Sequence, residues 1–231
     1  AAAFHPTPGV TEQELADVLL KTPYTIKEAQ MIAARILAGR LNFAQISDVE
    51  DIRDQHKFVK ELPDMMGKIG SHENQIEAQD KRLRRSGLSR KSRDNINKRI
   101  DGYRLQQVEI IRKFRLKAKE IMKIGRKIKG LKRRISAARD EIDRVEREVG
   151  FPTERIHKMA VQIRRSASMA KKLGVEKDVV LDAERRLTMA KRKIDQIETD
   201  AKLNADQISE LIDIIRLKEE KIYQAKMELV E

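Results

Sequence analysis

Apolar side chains recur at alternating steps of four and three over more than fifty residues of this chain. Ile96, Ile100, Tyr103, Gln107, Ile110, Phe114, Lys117, Ile121, Ile124, Ile128, Leu131, Ile135, Ala138, Ile142, Val145 and Val149 keep that spacing throughout, and every member from Ile121 onward is apolar. A period near 3.5 is a heptad seam on a helix, not the period of two that a strand requires. Taken as one helix, the seam predicts a rod roughly 80 Å long at 1.5 Å per residue. Gly102, Gly125 and Gly130 weaken it by about 1 kcal/mol each and are the expected places for a kink. Gly150 and Pro152 end it.

Shorter elements precede the seam. Ala1 to Gly9 reads as a frayed terminus. Thr11 and Glu14 form a capping-box pattern that opens a helix to about Lys21, which Pro23 breaks. Thr25 can cap a second helix over Ile26 to Ala38, closed by Gly39. A third stretch, Ser47 to Leu62, is expected to end near Pro63. From there to Ser92, Gly67, Gly70 and Gly87 leave helix and loop undecided.

Three helices are expected after the seam: Thr153 to about Leu173, closed by Gly174; Glu176 to about Ala201; and Ala205 to Glu231. An echo with a period of 52 links them. Ile142-Asp-Arg-Val-Glu146 matches Ile194-Asp-Gln-Ile-Glu198, and the same shift pairs Phe151 with Leu203, Ile156 with Ile208, Met159 with Leu211 and Ile163 with Ile215. Two copies of one helix–turn–helix unit account for it. Short linkers favour antiparallel hairpins whose seams cover one another. The expected fold is therefore all-α: an elongated helical bundle with long antiparallel, coiled-coil-like helices.

Composition sharpens this picture. Of 231 residues, 38% are charged and 3% aromatic, with no Trp and no Cys. That profile suits long helices and excludes a disulfide framework or Cys-ligated metal; it fits a reducing cytoplasm. No apolar run is long enough for a membrane span. The opening AAAFHPTPG lacks a signal-peptide pattern, so a secreted precursor is not expected.

The net charge of +13 is unevenly spread. Residues 1–80 carry 8 basic and 13 acidic side chains, residues 81–134 carry 22 and 4, and residues 135–231 carry 20 of each. A field concentrated in this way attracts a polyanion: nucleic acid, an anionic membrane surface or an acidic protein. The candidates for contact are Arg112, Lys113, Lys123, Arg126, Lys127, Lys129, Lys132, Arg133 and Arg134, most of them on the non-seam faces. Only Tyr103 and Phe114 are aromatic here, and both hold seam positions. Phosphate contact with a steep salt dependence is thus favoured over base stacking. A membrane surface is disfavoured for want of aromatic anchors.

Catalytic signatures are missing. His5, His56, His72 and His157 are isolated in sequence, and no HExxH, GxSxG or phosphate-cradling glycine loop occurs. No enzyme activity, metal, cofactor or small-molecule substrate is expected.

Two segments carry a resemblance. Thr25-Ile-Lys-Glu-Ala-Gln-Met-Ile-Ala-Ala-Arg-Ile-Leu-Ala-Gly-Arg40 resembles T-R-E-x-E-I-E-I-A-K-R-I-E-x-G, with Thr25, Ile32, Ala33, Arg35, Ile36 and Gly39 in register. This pattern lies near the end of the first conserved region of bacterial housekeeping (primary) sigma factors of RNA polymerase. The closing Ile215-Arg-Leu-Lys-Glu-Glu-Lys-Ile-Tyr-Gln-Ala-Lys-Met-Glu-Leu-Val-Glu231 resembles the lead-in to that family's second conserved region, with Ala225, Lys226, Glu228, Leu229, Val230 and Glu231 matching. Between them, Arg112-Lys-Phe-Arg-Leu-Lys and Val145-Glu-Arg-Glu-Val-Gly-Phe look like the family's helical, length-variable insertion.

The resemblance implies a division at 1–40, 41–215 and 216–231, in a piece of a longer transcription-initiation subunit. Its implied partners are core RNA polymerase, through the β′ clamp, and promoter DNA near the −10 element. Lys226, Glu228, Leu229 and Glu231 would belong to the polymerase-docking lead-in. The competing expectations are a structural coiled-coil oligomerisation protein and a non-specific nucleic-acid-binding helical protein.

Overall fold

The computed structural model describes residues 8–85, 87–166 and 168–227. Of the described residues 85% are helical, and no strand occurs among them. The helices are α1 (Pro8–Leu20), α2 (Pro23–Leu37), α3 (Phe43–Ile46), α4 (Ile52–Leu83), α5 (Arg90–Arg112), α6 (Ala118–Val149), α7 (Thr153–Arg165), α8 (Ser168–Leu173), α9 (Lys177–Ala201) and α10 (Ala205–Met227). The all-α expectation holds. Contacts divide the chain into two compact units, Ala1–Arg126 with Asp213–Glu231, and Lys127–Ile212.

Several boundaries differ from those expected, each for a local reason. α1 starts at Pro8, three residues before the expected cap at Thr11. Thr22, not Thr25, caps α2: its hydroxyl accepts the Thr25 amide at 3.2 Å, and Pro23 opens the helix as its first residue. Proline is tolerated there because an amide in the first turn has no intrahelical acceptor to lose. Gly39 closes this segment with φ +67, as expected. Pro63 lies inside α4 and does not end it. It faces solvent, where water can satisfy the carbonyl that a proline orphans.

The largest correction concerns the long seam. It is two helices, α5 and α6, separated at Lys113–Lys117. Gly102, Gly125 and Gly130 all sit within unbroken helix. Instead Phe114 leaves the α5 path and is fully buried, edge-on to Phe58 at 5.1 Å, while Phe58 stacks on Phe43 at 4.4 Å. Arg115 takes up the left-handed backbone, φ 42. The break is then tied to the end of α3. The Asp48 amide donates to the Arg115 carbonyl (2.8 Å), the Lys117 amide to the Ile46 carbonyl (2.9 Å) and the Ser47 hydroxyl to the Phe114 carbonyl (2.8 Å). Burying a Phe is worth about 1.5–3 kcal/mol. With three hydrogen bonds added, this outweighs continued helix.

In the first unit α4 and α5 pair antiparallel. Phe58, Leu62, Met65, Ile69, His72, Ile76, Gln79 and Leu83 form a second four–three seam, with every member buried or half-buried. Opposite it lie Ile96, Ile100, Tyr103, Gln107 and Ile110. The Gln107 amide donates to the Ile69 carbonyl at 3.2 Å, and His72 lies beside Tyr103. Ala29, Ala33 and Ile36 of α2 complete this core.

In the second unit Val145 of α6 packs with Ile156, Met159 and Ile163 of α7 and with Val180, Ala183 and Leu187 of α9. The helix expected from Thr153 to Leu173 is interrupted after Arg165 by extended Ser166. The 52-residue echo is structural. Gly150 (φ +77) and Lys202 (φ 52) each turn left-handed. The Glu146 carboxylate accepts the Thr153 amide at 2.6 Å, and Glu198 accepts the Ala205 amide at 2.7 Å. Ile156 and Ile208 are both fully buried.

Candidate polyanion-binding surface

The expected basic residues are positioned by α5 and α6, and each unit holds part of the set. In the first unit, Arg112 ends α5 and is neutralised there, with Nη1 at 3.1 Å from Glu109 and Nη2 at 3.0 Å from Asp17. Its role is to tie α1 to α5. Lys113 is exposed and caps α5. Lys123 is exposed but paired with Glu120 at 2.7 Å, one turn back. Arg126 is exposed, with no ion pair among the described residues.

In the second unit the seam members Ile128, Leu131, Ile135, Ala138 and Val145 of α6 are buried, so the intervening residues face outward. Lys127 and Arg133 are exposed, whereas Lys129 and Lys132 are half-buried. Arg134 lines a cleft of about 470 Å³ with Arg186, Lys193 and the single acid Glu141, floored by Ala138 and Ala190. Small side chains leave this groove open. Arg186 spans it, with Nε at 2.8 Å from Glu141 and Nη1 at 2.6 Å from Glu148. Its guanidinium holds the Glu141 carboxyl below the ordinary range.

Within the second unit, Lys127, Lys129, Lys132, Arg133 and Arg134 present cations at successive positions along α6, a geometry suited to an extended anionic partner. Lys226 lies in α10, but its side chain and the whole of Glu228, Leu229 and Glu231 fall outside the described residues.

One charged cluster has no signature in the sequence. Glu184 of α9 is buried, yet it accepts Arg164 Nη2 at 2.6 Å and lies 3.4 Å from His157 Nδ1, both on α7. Burial alone would raise the Glu184 carboxyl. Arg164 and His157 overcome that and leave it lowered. His157 is therefore not isolated in space; its partner is simply 27 positions away. The cluster clasps α7 to α9. No group of three His, Cys, Asp or Glu able to hold a metal occurs among the described residues. No described helix is long and apolar enough to cross a membrane.

Comparison with known proteins finds no matching family, no similar curated protein and no similar solved structure.

Proposed function

We propose that this chain is part of a bacterial transcription-initiation subunit of the sigma type, which binds core RNA polymerase and helps engage promoter DNA. The observation that carries the reading is where the two resembling segments lie. The Thr25–Arg40 and Ile215–Glu231 stretches are separated by most of the chain, yet both belong to the first compact unit. Within it, Lys218 of α10 pairs with Glu14 of α1 across 204 residues of sequence. This is the topology expected of two conserved regions interrupted by a large helical insertion.

Local detail agrees with that reading. In α2, Thr25, Ala33 and Ile36 are buried while Arg35 is exposed, and Gly39 supplies the left-handed residue that ends the segment. The matched positions thus divide into core, surface and turn in a way that explains why each type is needed. The basic stretch of α6 would meet upstream duplex phosphates or an acidic polymerase surface. The coiled-coil alternative is less well supported: the seam from Ile124 to Val145 is largely buried within a single copy of the chain, leaving little stripe for a partner helix.

Retention of bacterial core RNA polymerase by the immobilised chain tests the proposal. Binding should be competed by an intact housekeeping sigma factor. Exchanging Lys127, Lys132, Arg133 and Arg134 for Glu should weaken it by about tenfold or more at low salt, because charge reversal exchanges attraction for repulsion. Duplex binding with no polymerase retention would replace this reading with a non-specific nucleic-acid binder. A concentration-dependent dimer would favour the coiled coil.

A further inference from the structure

The α4–α5 hairpin carries its densest charge at its tip, on residues separate from the basic stretch of α6. Between residues 81 and 99 lie Lys81, Arg82, Arg84, Arg85, Arg90, Lys91, Arg93, Lys98 and Arg99 against the single acid Asp94. All nine cations are exposed. None has an ion pair among the described residues; nearby acids are spent elsewhere or sparse, as with Asp101, which lies 3.9 Å from Arg104.

Three of the nine cations have a local explanation. Lys81 and Arg82 occupy the last turn of α4, and Arg84 caps it, where cations complement the helix dipole. Three others run against that preference. α5 begins with Arg90, Lys91 and Arg93 in or beside its first turn, which has no acidic residue. A cation there is unfavourable by roughly 0.3–1 kcal/mol, and the other cations of the tip add repulsion. The inward seams make the hairpin stable without these residues, since Ile96 and Ile100 are buried. Folding therefore gives no reason for the charge at the start of α5. An anion at the tip does: it would meet the cations and the positive end of the α5 dipole together.

The surroundings narrow the class of anion. No aromatic residue lies between 78 and 100, so the tip has no platform for unstacked bases. Of its larger apolar residues, Ile96 is buried and Leu83 and Leu88 are half-buried, so it has no anchor for a bilayer. Six of the nine cations are Arg, whose fork binds phosphate oxygens bidentately. We infer that the tip of the α4–α5 hairpin, Lys81 to Arg99, binds the phosphate backbone of duplex nucleic acid without reading its sequence. This does not rest on the family reading.

The test is fluorescence anisotropy on the whole chain with two unrelated DNA duplexes of about 20 base pairs, the matching single strand, and vesicles containing phosphatidylserine. The comparison variant carries Arg84→Gln, Arg85→Gln, Arg90→Gln and Arg93→Gln; these positions are exposed and Gln is a good helix former, so unchanged circular dichroism confirms the fold. Both duplexes should bind equally. The variant should weaken that binding by about tenfold or more at about 0.1 M salt and flatten the logarithmic salt slope by about 0.9 for each phosphate no longer neutralised. A second variant, Lys127→Gln with Lys132→Gln, Arg133→Gln and Arg134→Gln, separates the tip from α6, and it should retain most of the slope. Unchanged affinity and slope in the tip variant would overturn the inference. So would a weakening confined to the vesicles or to the single strand.

Discussion

The turns of the two helix–turn–helix copies, both within the second unit, are the same turn made with different residues. After α6, Gly150 takes the left-handed conformation; after α9, Lys202 does. Pro152 precedes α7, whereas Asn204 precedes α10 and forms a reciprocal pair with Gln207: Asn204 Oδ1 accepts the Gln207 amide at 2.8 Å, and Gln207 Oε1 accepts the Asn204 amide at 2.9 Å. What the copies share is a Glu at the end of one helix that reaches over the turn to the first amide of the next. The turn is thus fixed by three requirements: one left-handed residue, one acceptor for an orphan amide, and one apolar side chain buried in the first turn of the new helix. Any residue that meets a requirement will serve, so the copies drift apart in sequence while the backbone stays.

The sharpest way to break the comparison is through the buried isoleucines. Ile156→Ala and Ile208→Ala should each destabilise by about 2–5 kcal/mol, since both side chains are fully buried. Urea unfolding followed by circular dichroism measures this. If one substitution costs less than a third of the other, the copies are not energetic equivalents.

Next come the bridging carboxylates. Glu146→Ala and Glu198→Ala should each cost about 1 kcal/mol, the usual worth of a helix cap. Hydrogen bonding by Thr153, whose amide donates at 2.6 Å, holds the Glu146 carboxyl below its ordinary value. A lowered folded value means the contribution is complete above the unfolded carboxyl pKa of about 4.3 and fades as pH falls through the folded one. The gap between Glu146→Ala and the parent should therefore hold at pH 7 and close on acidification below about 4. A gap that persists in acid would mean that packing, not the carboxylate, makes the turn.

The same division explains which features are legible in the sequence. Requirements met by local spacing are visible there: the α6 seam, the glycine at Gly150, the 52-residue echo. Requirements met across the fold are not. The break at Lys113–Lys117 is hidden because Phe114 keeps the four–three spacing while leaving the helix for Phe58, more than fifty residues away. The charged Lys117 inside an apolar seam is the one local hint; its ammonium reaches the Ala44 carbonyl at 2.8 Å. Pro63 and the glycines obscure the α4 seam, as do His72 and Gln79 at its core positions. The charge concentration is plain, but not its neutralisation: Arg112 meets Asp17 from 95 residues away, and the pairing of Glu184 with Arg164 and His157 depends on how α7 lies against α9.

The finest test exchanges the left-handed residues. A Cβ added at Gly150 would meet nothing within 4 Å, so Gly150→Ala carries only the conformational penalty, about 1–2 kcal/mol for an L-residue there. At Lys202 that penalty is already present, and Lys202→Gly removes it. Opposing this, glycine makes the unfolded chain more flexible, which costs about 0.4–1 kcal/mol. On backbone conformation alone the strain is the larger by about 0.5 kcal/mol, and as an exposed lysine's own interaction is worth less than that, Lys202→Gly should stabilise slightly while Gly150→Ala destabilises. Thermal melts of the two variants should shift in opposite directions. A shift of both downward would show that Lys202 contributes through its side chain and not merely by tolerating the turn.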